Sequence, residues 1–462
     1  MTEFWSPDNL AKLTDGAWLS FPKAAPTGLW HDTRQLQPGN AFLALPGNRV
    51  DGHTLLPQAA DAGASCAIIT DPNPTHATHP TLPLLLVKDA IAALHALAHA
   101  YRTLLGEAET SVIAVSGSNG KTTTRHLIHH VLTNAGNLHG SQAPASFNNH
   151  LGVPLTLLRA QPTDRFVALE LGTNHPGEID QLAALARPDL SVIPSLGEEH
   201  LEAFTDLAGV VREEAAVLRH VRPGGIILTT PDAGQLLAEH YDVQEGVGMT
   251  SVNPDHFTLP ADFPLPGEHN HSNAALALAV ARLFDIPPNT GQHALSTFTS
   301  APHRSHLRRI GPITLLDDCY NANPSSMHQA ITTFMNVKRD AQHILVLGDM
   351  LELGEDSEKA HQDLGRLTAF YNPVNARPES PKTSALFLIG DAVQATQRVW
   401  TAMGLDRFVT RFNELDDQAI EHITHTIQPG DHILLKASRG LRLERLIPAI
   451  ETRFTPPPPP TR

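Results

Sequence analysis

A glycine-rich loop lies between an apolar run and a helical segment near residue 117 of this 462-residue chain. The run Val112 to Val115 leads into the loop, and a helical pattern follows. Glycines let backbone N–H groups surround an anion at a helix N-terminus, where a lysine reaches terminal phosphates and a threonine hydroxyl binds Mg²⁺. A plain glycine-rich turn does not account for this order. The order predicts a nucleotide-binding loop formed by Gly117, Ser118, Asn119, Gly120, Lys121, Thr122 and Thr123.

Apolar runs alternate with helical patterns on both sides of this loop, which predicts an α/β fold with largely parallel sheets. We expect a small α/β domain over residues 1–87, a central domain over 88–309, a Rossmann-like doubly wound domain over 310–455 and a proline-rich tail over 456–462. The helix after Asp89 should connect the first two domains. The runs predicted as strands are Ala41 to Leu45, Cys66 to Thr70, Leu84 to Val87, Val112 to Val115, Phe166 to Leu171, Leu190 to Leu196, Gly225 to Thr230, His343 to Leu347, Ala385 to Ile389, Phe408 to Phe412 and His432 to Lys436.

Composition excludes several classes of function. Lys and Arg total 33 against 48 Asp and Glu, so a charge of -15 argues against a nucleic-acid partner. No apolar run approaches the roughly 18 residues of a membrane helix, and the first residues lack the features of a secretion signal. With Cys66 and Cys319 as the two cysteines, no disulfide framework is expected. We expect a soluble cytoplasmic protein, a monomer, that acts on small molecules.

Two polar residues follow neighbouring predicted strands. Glu170 ends the run that starts at Phe166, and His200 comes shortly after the run that starts at Leu190. Ligands of open α/β sheets bind beyond the carboxyl ends of the strands, so both side chains should face the phosphate loop. Taken singly, each has a commoner interpretation, a buried structural Glu or a surface His. Their shared edge with the loop favours a functional role.

The helical pattern after His200 contains an unusual carboxylate. Glu214 falls on the apolar stripe that includes Val210 and Val211, whereas Glu213 falls outside it. A carboxylate that faces the core needs a partner, because an unpaired buried charge is very costly. From the pattern alone, a metal ion and an ion pair with Arg212 or another base are equally good explanations.

Six segments between residues 117 and 355 resemble the Mur ligase family, and the last two resemble the members that add D-alanyl-D-alanine. The resemblance as a whole spans residues 31–445. The segments are GSNGKTTT at 117–124, NNHLGVP at 148–154, ELGTNHPGEI at 170–179, GEHNHSN at 267–273, DDCYNANPSSM at 317–327 and LGDMLELGE at 347–355. The resemblance implies a ligase that uses ATP and Mg²⁺. Its substrates would be UDP-N-acetylmuramoyl-tripeptide and D-alanyl-D-alanine, joined through an acyl phosphate in the synthesis of a peptidoglycan precursor.

The resemblance also implies roles for individual residues. Lys121, His200, Glu214 and Arg304 would be catalytic, with Thr122 and Glu170 on the Mg²⁺ shared with ATP and His200 on a second Mg²⁺. Asn270 and Asn273 would contact the adenine region, Arg304 the phosphates and Asp318 the ribose. The residues expected to bind the other substrates are Asp32, Thr33, Arg34, Gly47, Asp51, His53, Asn148, Asn149, Tyr320, Asn321, Asn323, Lys436, Ser438 and Arg439.

Glu214 departs from the family pattern, because most relatives have a lysine there that becomes carbamylated and organises the second Mg²⁺. A carbamylated lysine ends in a carboxylate-like anion, so we hypothesise that Glu214 replaces it, directly or through water, and removes the need for bicarbonate. Three other functions use the same loop: a small-molecule kinase, a nucleotide-gated binding protein and a ligase for another acceptor, such as a folylpolyglutamate-type enzyme. The segment from Tyr320 to Met327 and the third domain argue against the kinase.

Overall fold

The computed structural model describes residues 3–47, 50–71, 82–144, 146–161, 163–241, 243–337, 342–372 and 382–455. The predicted proline-rich tail, residues 456–462, lies outside the described residues. Over the described residues the chain forms three sheets with helices packed on them, which confirms the predicted three-domain α/β fold. Within these same ranges, no helix has the length and apolar character needed to cross a membrane.

The first sheet has five short strands in the order β1-β5-β4-β3-β2, parallel except for β1 against β5. The strands are β1 (Ala17–Trp18), β2 (Leu29–Trp30), β3 (Ala41–Leu43), β4 (Cys66–Ile69) and β5 (Leu84–Leu86). Two helices accompany them, α1 (Pro7–Thr14) and α2 (Leu56–Asp61). Strands β3 and β4 are buried along their whole length, as their uninterrupted apolar sequences predict.

Helix α3 (Ala90–Glu107) connects the first sheet to the second, as predicted. It begins where the Asp89 carboxylate accepts hydrogen bonds from the amides of Ile91 and Ala92, a typical N-cap. Its apolar stripe is buried, and its Tyr101 hydroxyl donates to the carbonyl of Ala160 in the central domain. These contacts hold α3 against both sheets.

The second sheet has six parallel strands in the order β11-β10-β9-β6-β8-β7. They are β6 (Ser111–Val115), β7 (Gly140–Gln142), β8 (Phe166–Glu170), β9 (Leu190–Ile193), β10 (Ile226–Thr229) and β11 (Gly248–Ser251). The associated helices are α4 (Lys121–Asn134), α5 (Gly152–Arg159), α6 (Glu178–Ala186), α7 (Leu201–Phe204), α8 (Leu207–Glu214), α9 (Pro231–His240), α10 (Glu268–Leu283) and α11 (Pro288–Leu295). Because β6, β8 and β9 are parallel neighbours, the segments that follow them meet at one edge of the sheet.

The third sheet has six strands in the order β12-β13-β17-β14-β15-β16, with β12 antiparallel to β13 and the rest parallel. They are β12 (His306–Ile310), β13 (Ile313–Asp317), β14 (Gln342–Gly348), β15 (Lys382–Ile389), β16 (Val409–Phe412) and β17 (His432–Lys436). Its helices are α12 (Pro324–Val337), α13 (Ser357–Phe370), α14 (Gln394–Ala402), α15 (Asp417–Thr426) and α16 (Leu446–Phe454). The sheet starts at residue 306, whereas the predicted domain starts at 310.

The strands that the sequence patterns did not predict lie mostly at sheet edges. They are β1, β2, β7, β11, β12 and β13, and β1, β2 and β7 span only two or three residues each. In β12 three positively charged or imidazole side chains interrupt the apolar pattern, because one side of an edge strand faces solvent. Predicted strands that ran too long end earlier in the structure. For example, the run from Leu190 to Leu196 becomes a strand only as far as Ile193, because the chain turns there towards the phosphate loop.

Candidate active site

The phosphate loop, defined as residues 116–120, follows β6 and ends where α4 begins at Lys121. Gly117 and Gly120 have φ angles of 106° and 83°, in the region that favours glycine. Steric crowding also requires glycine at both positions. A Cβ at Gly117 would lie 2.6 Å from the carbonyl oxygen of Ser195, and a Cβ at Gly120 would lie 2.7 Å from Oδ1 of Asn273. Within the described residues, no side chain caps the first turn of α4. Its amides are therefore available to a phosphate.

The loop is held by the segment that follows β9. The amides of Ser118 and Asn119 donate to the carbonyl and the hydroxyl oxygen of Ser195, both at 2.9 Å. The Ser118 hydroxyl donates to the carbonyl of Gly197 at 2.8 Å. The segments that follow β6 and β9 are thus joined by these hydrogen bonds, which hold the loop against the neighbouring strand end.

Glu170 and Thr122 form a pair of oxygen donors beside the loop. The Thr122 hydroxyl donates to Oε1 of Glu170 at 3.0 Å, and Asn148 donates to the same oxygen at 3.2 Å. The other carboxylate oxygen lies 3.4 Å from Nε of the fully buried Arg125. A buried carboxylate next to a hydroxyl is a donor set of the hard kind that Mg²⁺ prefers. The residues therefore fit the predicted Mg²⁺.

Lys121 lies between two buried carboxylates. Its Nζ is 3.6 Å from Oε1 of Glu199 and 3.7 Å from Oε1 of Glu214, and it also donates to the carbonyls of Gly117 and Ser118. Glu214 is fully buried, and its Oε2 accepts the amide hydrogen of Gly117 at 2.6 Å. The partner of Glu214 is thus the phosphate loop and its lysine, whereas Arg212 is exposed.

Burial and the neighbouring carboxylates have opposite effects on the pKa of Lys121. Burial alone would lower the pKa of Lys121, but Glu199, Glu214 and Glu170 outweigh it and the pKa is raised. Burial raises the pKa of Glu199 to about 8, against the opposing effect of Lys121 and with a further contribution from Glu214. Lys121 therefore lies beside Glu199, a buried carboxyl group with a raised pKa, and beside Glu214, which accepts the amide hydrogen of Gly117.

Glu213 corrects one prediction. The stripe pattern excluded it from the core, yet it is 7% exposed. Its carboxylate accepts hydrogen bonds from the amides of Gly177 and Ile179 at 2.7 and 2.9 Å and from the hydroxyl of Thr173 at 3.1 Å. It compensates for the unpaired amides at the start of α6, a tertiary contact that the helical period does not encode.

His200 contacts the third domain. Its Nδ1 lies 2.5 Å from Oε2 of Glu352, in the loop after β14. In the described residues, the one group of three or more clustered His, Cys, Asp or Glu donors comprises His303, Asp317 and Cys319. Glu214 is turned towards Gly117, and the sharing of a metal ion by His200 and Glu214 stays a prediction.

The third domain supplies a second group of polar side chains. Asp318 forms an ion pair with Lys436 at 2.7 Å and accepts the amide hydrogen of Ser305 at 2.8 Å. The guanidinium of Arg304 lies over the ring of Tyr320, 3.9 Å from its centroid. Asn323 donates to Oδ1 of Asn119 at 3.0 Å and so bridges the two domains at the phosphate loop.

These elements enclose a cleft of about 520 Å³ between the second and third sheets. Glu199 lines it together with most of the predicted residues: Ser118, Asn119, Gly120, Lys121, Thr122, Thr123, Asn148, Asn149, Glu170, His200, Asn270, Asn273, Arg304, Asp318, Tyr320, Asn321, Asn323 and Lys436. Asn270 and Asn273 hydrogen-bond to each other at 3.3 Å on the first turns of α10.

Two predicted substrate ligands, Ser438 and Arg439, are not among the residues that line this cleft. The buried Ser438 hydroxyl accepts the amide hydrogen of Leu351 at 3.0 Å and so holds the loop after β14. Arg439 pairs with Glu444 at 2.7 Å and lies 5.9 Å from the ring of Tyr320. Ser438 therefore holds the loop after β14 in place, and Arg439 lies close to Tyr320.

The residues predicted in the first domain lie away from this cleft. Asp32 and Arg34 form an exposed ion pair at 2.7 Å, with Thr33 between them, and Gly47 is exposed near Asp51. His53 is buried. Its Nδ1 contacts Asp51 at 2.7 Å, while its Nε2 accepts the amide hydrogen of Thr70 at 3.0 Å. His53 therefore fixes a turn of the first domain.

Three residues at the site were not predicted from the sequence: Arg125, Glu199 and Glu352. Arg125 lies one turn after Thr122 on the same face of α4, a spacing that could have revealed it. Glu199 immediately precedes His200, so the same strand end contained the signal. Glu352 comes from a different domain, and no local pattern connects it with His200.

Sequence profiles of Mur ligase domains match three parts of the chain. They are the Mur ligase catalytic domain over residues 27–102, the Mur ligase middle domain over 115–245 and the glutamate ligase domain of Mur ligases over 303–439. The chain is 33% identical to the UDP-N-acetylmuramoyl-tripeptide--D-alanyl-D-alanine ligase of Bacillus subtilis, over 95% of this chain and 96% of that protein. The chain belongs to the Mur ligase family.

Other relatives of this Mur ligase agree in name and fold. The Escherichia coli protein of the same name is 29% identical over 92% of this chain and 93% of its own. A crystal structure of MurF from Acinetobacter baumannii superimposes with a TM-score of 0.80 at 26% identity, covering 97% of this chain and 99% of that chain. MurF from Thermotoga maritima, in complex with ADP, has the same fold with a TM-score of 0.74 at 21% identity, over 92% and 97% of the two chains.

Proposed function

We propose that this Mur ligase uses ATP to join D-alanyl-D-alanine to UDP-N-acetylmuramoyl-tripeptide, giving ADP, phosphate and the UDP-linked pentapeptide. The observation that carries the proposal is one cleft in which the phosphate loop meets Arg304, at the end of the central domain, and Asp318 and Tyr320 of the third domain. The names of the relatives support the same reaction, since both are ligases of this tripeptide and this dipeptide.

The chemistry has two steps. A carboxylate oxygen of the tripeptide attacks the γ-phosphorus of ATP, the bond to the β-phosphate oxygen breaks, and ADP leaves. The amine of D-alanyl-D-alanine then attacks the carbonyl carbon of the acyl phosphate, inorganic phosphate leaves, and the nitrogen loses a proton to give the amide. The first step brings two anions together, so the site must supply positive charge and exclude water.

Residues on both sides of the cleft meet these needs. Lys121 neutralises the terminal phosphates, and the uncapped start of α4 directs its amides at them. Arg304 approaches the phosphates from the opposite side, held by its contact with Tyr320. Asn270 and Asn273 are suited to the adenine region, and Asp318, fixed by Lys436, to the ribose.

The Thr122 hydroxyl and the Glu170 carboxylate would hold the Mg²⁺ shared with ATP, and His200 would hold a second Mg²⁺. When bound, Mg²⁺ neutralises the charge that develops on the transferred phosphoryl group. Glu170 is positioned for this by Asn148 and Arg125. Lys121 stays protonated, because three carboxylates raise its pKa.

We propose that the remaining predicted residues bind the other two substrates. The first domain, residues 1–87, would hold the uridine diphosphate end with Asp32, Thr33, Arg34, Gly47 and Asp51. The central domain, 88–309, contributes Asn149, and the third, 310–455, contributes Tyr320, Asn321, Asn323 and Arg439. We assign the reaction to the cytoplasm, where ATP is made. For the oligomeric state, we propose a monomer.

The test is phosphate release from ATP with UDP-N-acetylmuramoyl-tripeptide, with and without D-alanyl-D-alanine, and identification of the product by mass. Tripeptides that end in lysine and in diaminopimelate are both supplied, and Lys121→Ala is the inactive control. We expect phosphate release that depends on the dipeptide, with pentapeptide formed. Phosphate release without an amide product, or accumulation of a stable phosphorylated compound, would contradict the proposal.

A further inference from the structure

The contact between His200 and Glu352 joins the second domain to the third at the edge of the cleft. Nδ1 of His200 lies 2.5 Å from Oε2 of Glu352, and the amide of Glu202 donates to the backbone carbonyl of Glu352 at 3.3 Å. Two hydrogen bonds thus connect one residue of the third domain to one turn of the second. Since Glu352 and His200 are 152 residues apart, only this arrangement of the domains brings them together.

The loop that carries Glu352 is held rigidly from behind. Asp349 accepts hydrogen bonds from the amides of Asp391 and Val393 at 3.0 and 2.9 Å, and the amide of Leu351 donates to the Ser438 hydroxyl at 3.0 Å. Glu352 itself has a φ angle of 63°, which is uncommon for a residue other than glycine. Such backbone conformations persist only where the surrounding contacts enforce them.

The contact determines which ring nitrogen of His200 can bind a cation. A carboxylate that faces Nδ1 accepts the hydrogen of that nitrogen, so Nε2 is the nitrogen that can bind a cation. A histidine that binds a metal ion through one nitrogen usually donates from the other to a carboxylate, which sets its tautomer and its orientation. The ion pair itself adds little stability, because the Glu352 side chain is 58% exposed. The contact instead orients the imidazole ring of His200.

We propose that Glu352 is a positioning residue: it orients His200 for a divalent cation, so that docking of the third domain completes the cation site in the second. This rests on the proposed function, which assigns a second Mg²⁺ to His200. Glu352 does not touch the reacting atoms. It acts through His200, and it links the position of the third domain to the affinity for the cation.

The experiment counts bound Mn²⁺, used in place of Mg²⁺, by electron paramagnetic resonance on the full chain with a non-hydrolysable ATP analogue and UDP-N-acetylmuramoyl-tripeptide. His200→Ala identifies the ion that depends on His200. We expect Glu352→Ala to lower the affinity for that ion by about 10- to 100-fold. We expect Glu352→Gln to recover part of the affinity, because its amide oxygen still accepts from Nδ1. Glu355→Gln, an exposed neighbour in the same loop, is the matched control and should bind as the wild type does.

Kinetics separate orientation from folding. Glu352→Ala should lower kcat at limiting Mg²⁺ and regain most of it at high Mg²⁺, with an unchanged KM for ATP, whereas a misfolded protein would not recover. Wild-type affinity for the His200-dependent ion in Glu352→Ala would overturn the inference, as would the absence of any such ion in an active wild type. Failure of the proposed function would give a different result. The wild type would then form no amide product, whatever the number of bound Mn²⁺ ions.

Discussion

Glu214 accepts a hydrogen bond of 2.6 Å from the backbone amide of Gly117, although 97 residues separate the two. The carboxylate at the end of α8 therefore supports the first glycine of the phosphate loop, while its other oxygen faces Lys121. Glu214 thus supplies a permanent carboxylate to the loop and its lysine from within the protein. The hypothesis that Glu214 replaces the carbamate implied by the family resemblance stays a prediction.

The first prediction concerns bicarbonate. Wild-type turnover should be equal in buffer depleted of carbon dioxide and in buffer with added bicarbonate, because Glu214 needs no modification. Glu214→Lys should lose at least about tenfold in kcat and regain part of it with bicarbonate. Glu214→Gln should lose about 1.5–3 kcal/mol of stability, the typical contribution of a hydrogen bond to a charged group.

Arg212→Lys is the control for these variants, because Arg212 is exposed on the same helix. Turnover is measured by phosphate release at several Mg²⁺ concentrations. Full turnover and an unchanged Mg²⁺ dependence in Glu214→Gln would refute the role of Glu214.

The second prediction concerns pH and stability. Burial raises the pKa of Glu199 to about 8 from an ordinary value of 4.5, so the folded protein holds a proton that the unfolded chain releases. The resulting stabilisation is complete below about pH 4.5 and is lost as the pH rises through about 8. Glu199→Gln should remove up to about 1.4 kcal/mol per pH unit from the slope of stability against pH in this window.

Urea unfolding at pH 5, 6, 7 and 8 measures that slope. Glu198→Gln serves as the control, since Glu198 is the exposed neighbour in the same segment. Identical slopes for Glu199→Gln and the wild type would show that Glu199 binds no extra proton in the folded state.

The third prediction concerns the Mg²⁺ shared with ATP. Thr122→Ala removes the hydroxyl that lies 3.0 Å from Glu170, so the Mg²⁺ concentration for half-maximal activity should rise about tenfold or more. Thr122→Ser keeps the hydroxyl and should stay close to the wild type. Equal Mg²⁺ requirements for the alanine and serine variants would contradict a role for this hydroxyl.

The fourth prediction concerns Arg304, which lies over the ring of Tyr320. Arg304→Lys keeps the charge but loses the planar contact, so KM for ATP should rise about three- to tenfold. Tyr320→Phe keeps the ring face and should have little effect on KM for ATP, whereas Tyr320→Ala should resemble Arg304→Lys. Steady-state kinetics of the three variants measure this, and a Tyr320→Ala enzyme with wild-type KM would show that the contact does not position Arg304.

Local patterns in the sequence determined much of this protein. The strand, loop and helix around Gly117 follow from neighbouring residues, and so does helix α3, whose cap at Asp89 and buried stripe lie within a few turns. The meeting of Glu170 and His200 near the loop followed from the rule that parallel strands end at one edge. Each of these depends on interactions between residues close in the chain or on the geometry shared by all parallel sheets.

Tertiary structure alone decided which carboxylates are buried and what they contact. Glu213 and Glu214 are adjacent, yet one binds the start of α6 and the other supports Gly117. Helical periodicity describes one face, whereas these two carboxylates satisfy backbone amides on different elements. The pairing of His200 with Glu352 likewise depends on how two domains meet, and it is set by contacts between residues 152 positions apart. Burial forces such polar groups to find partners, but only the folded arrangement of the elements determines which partners they find.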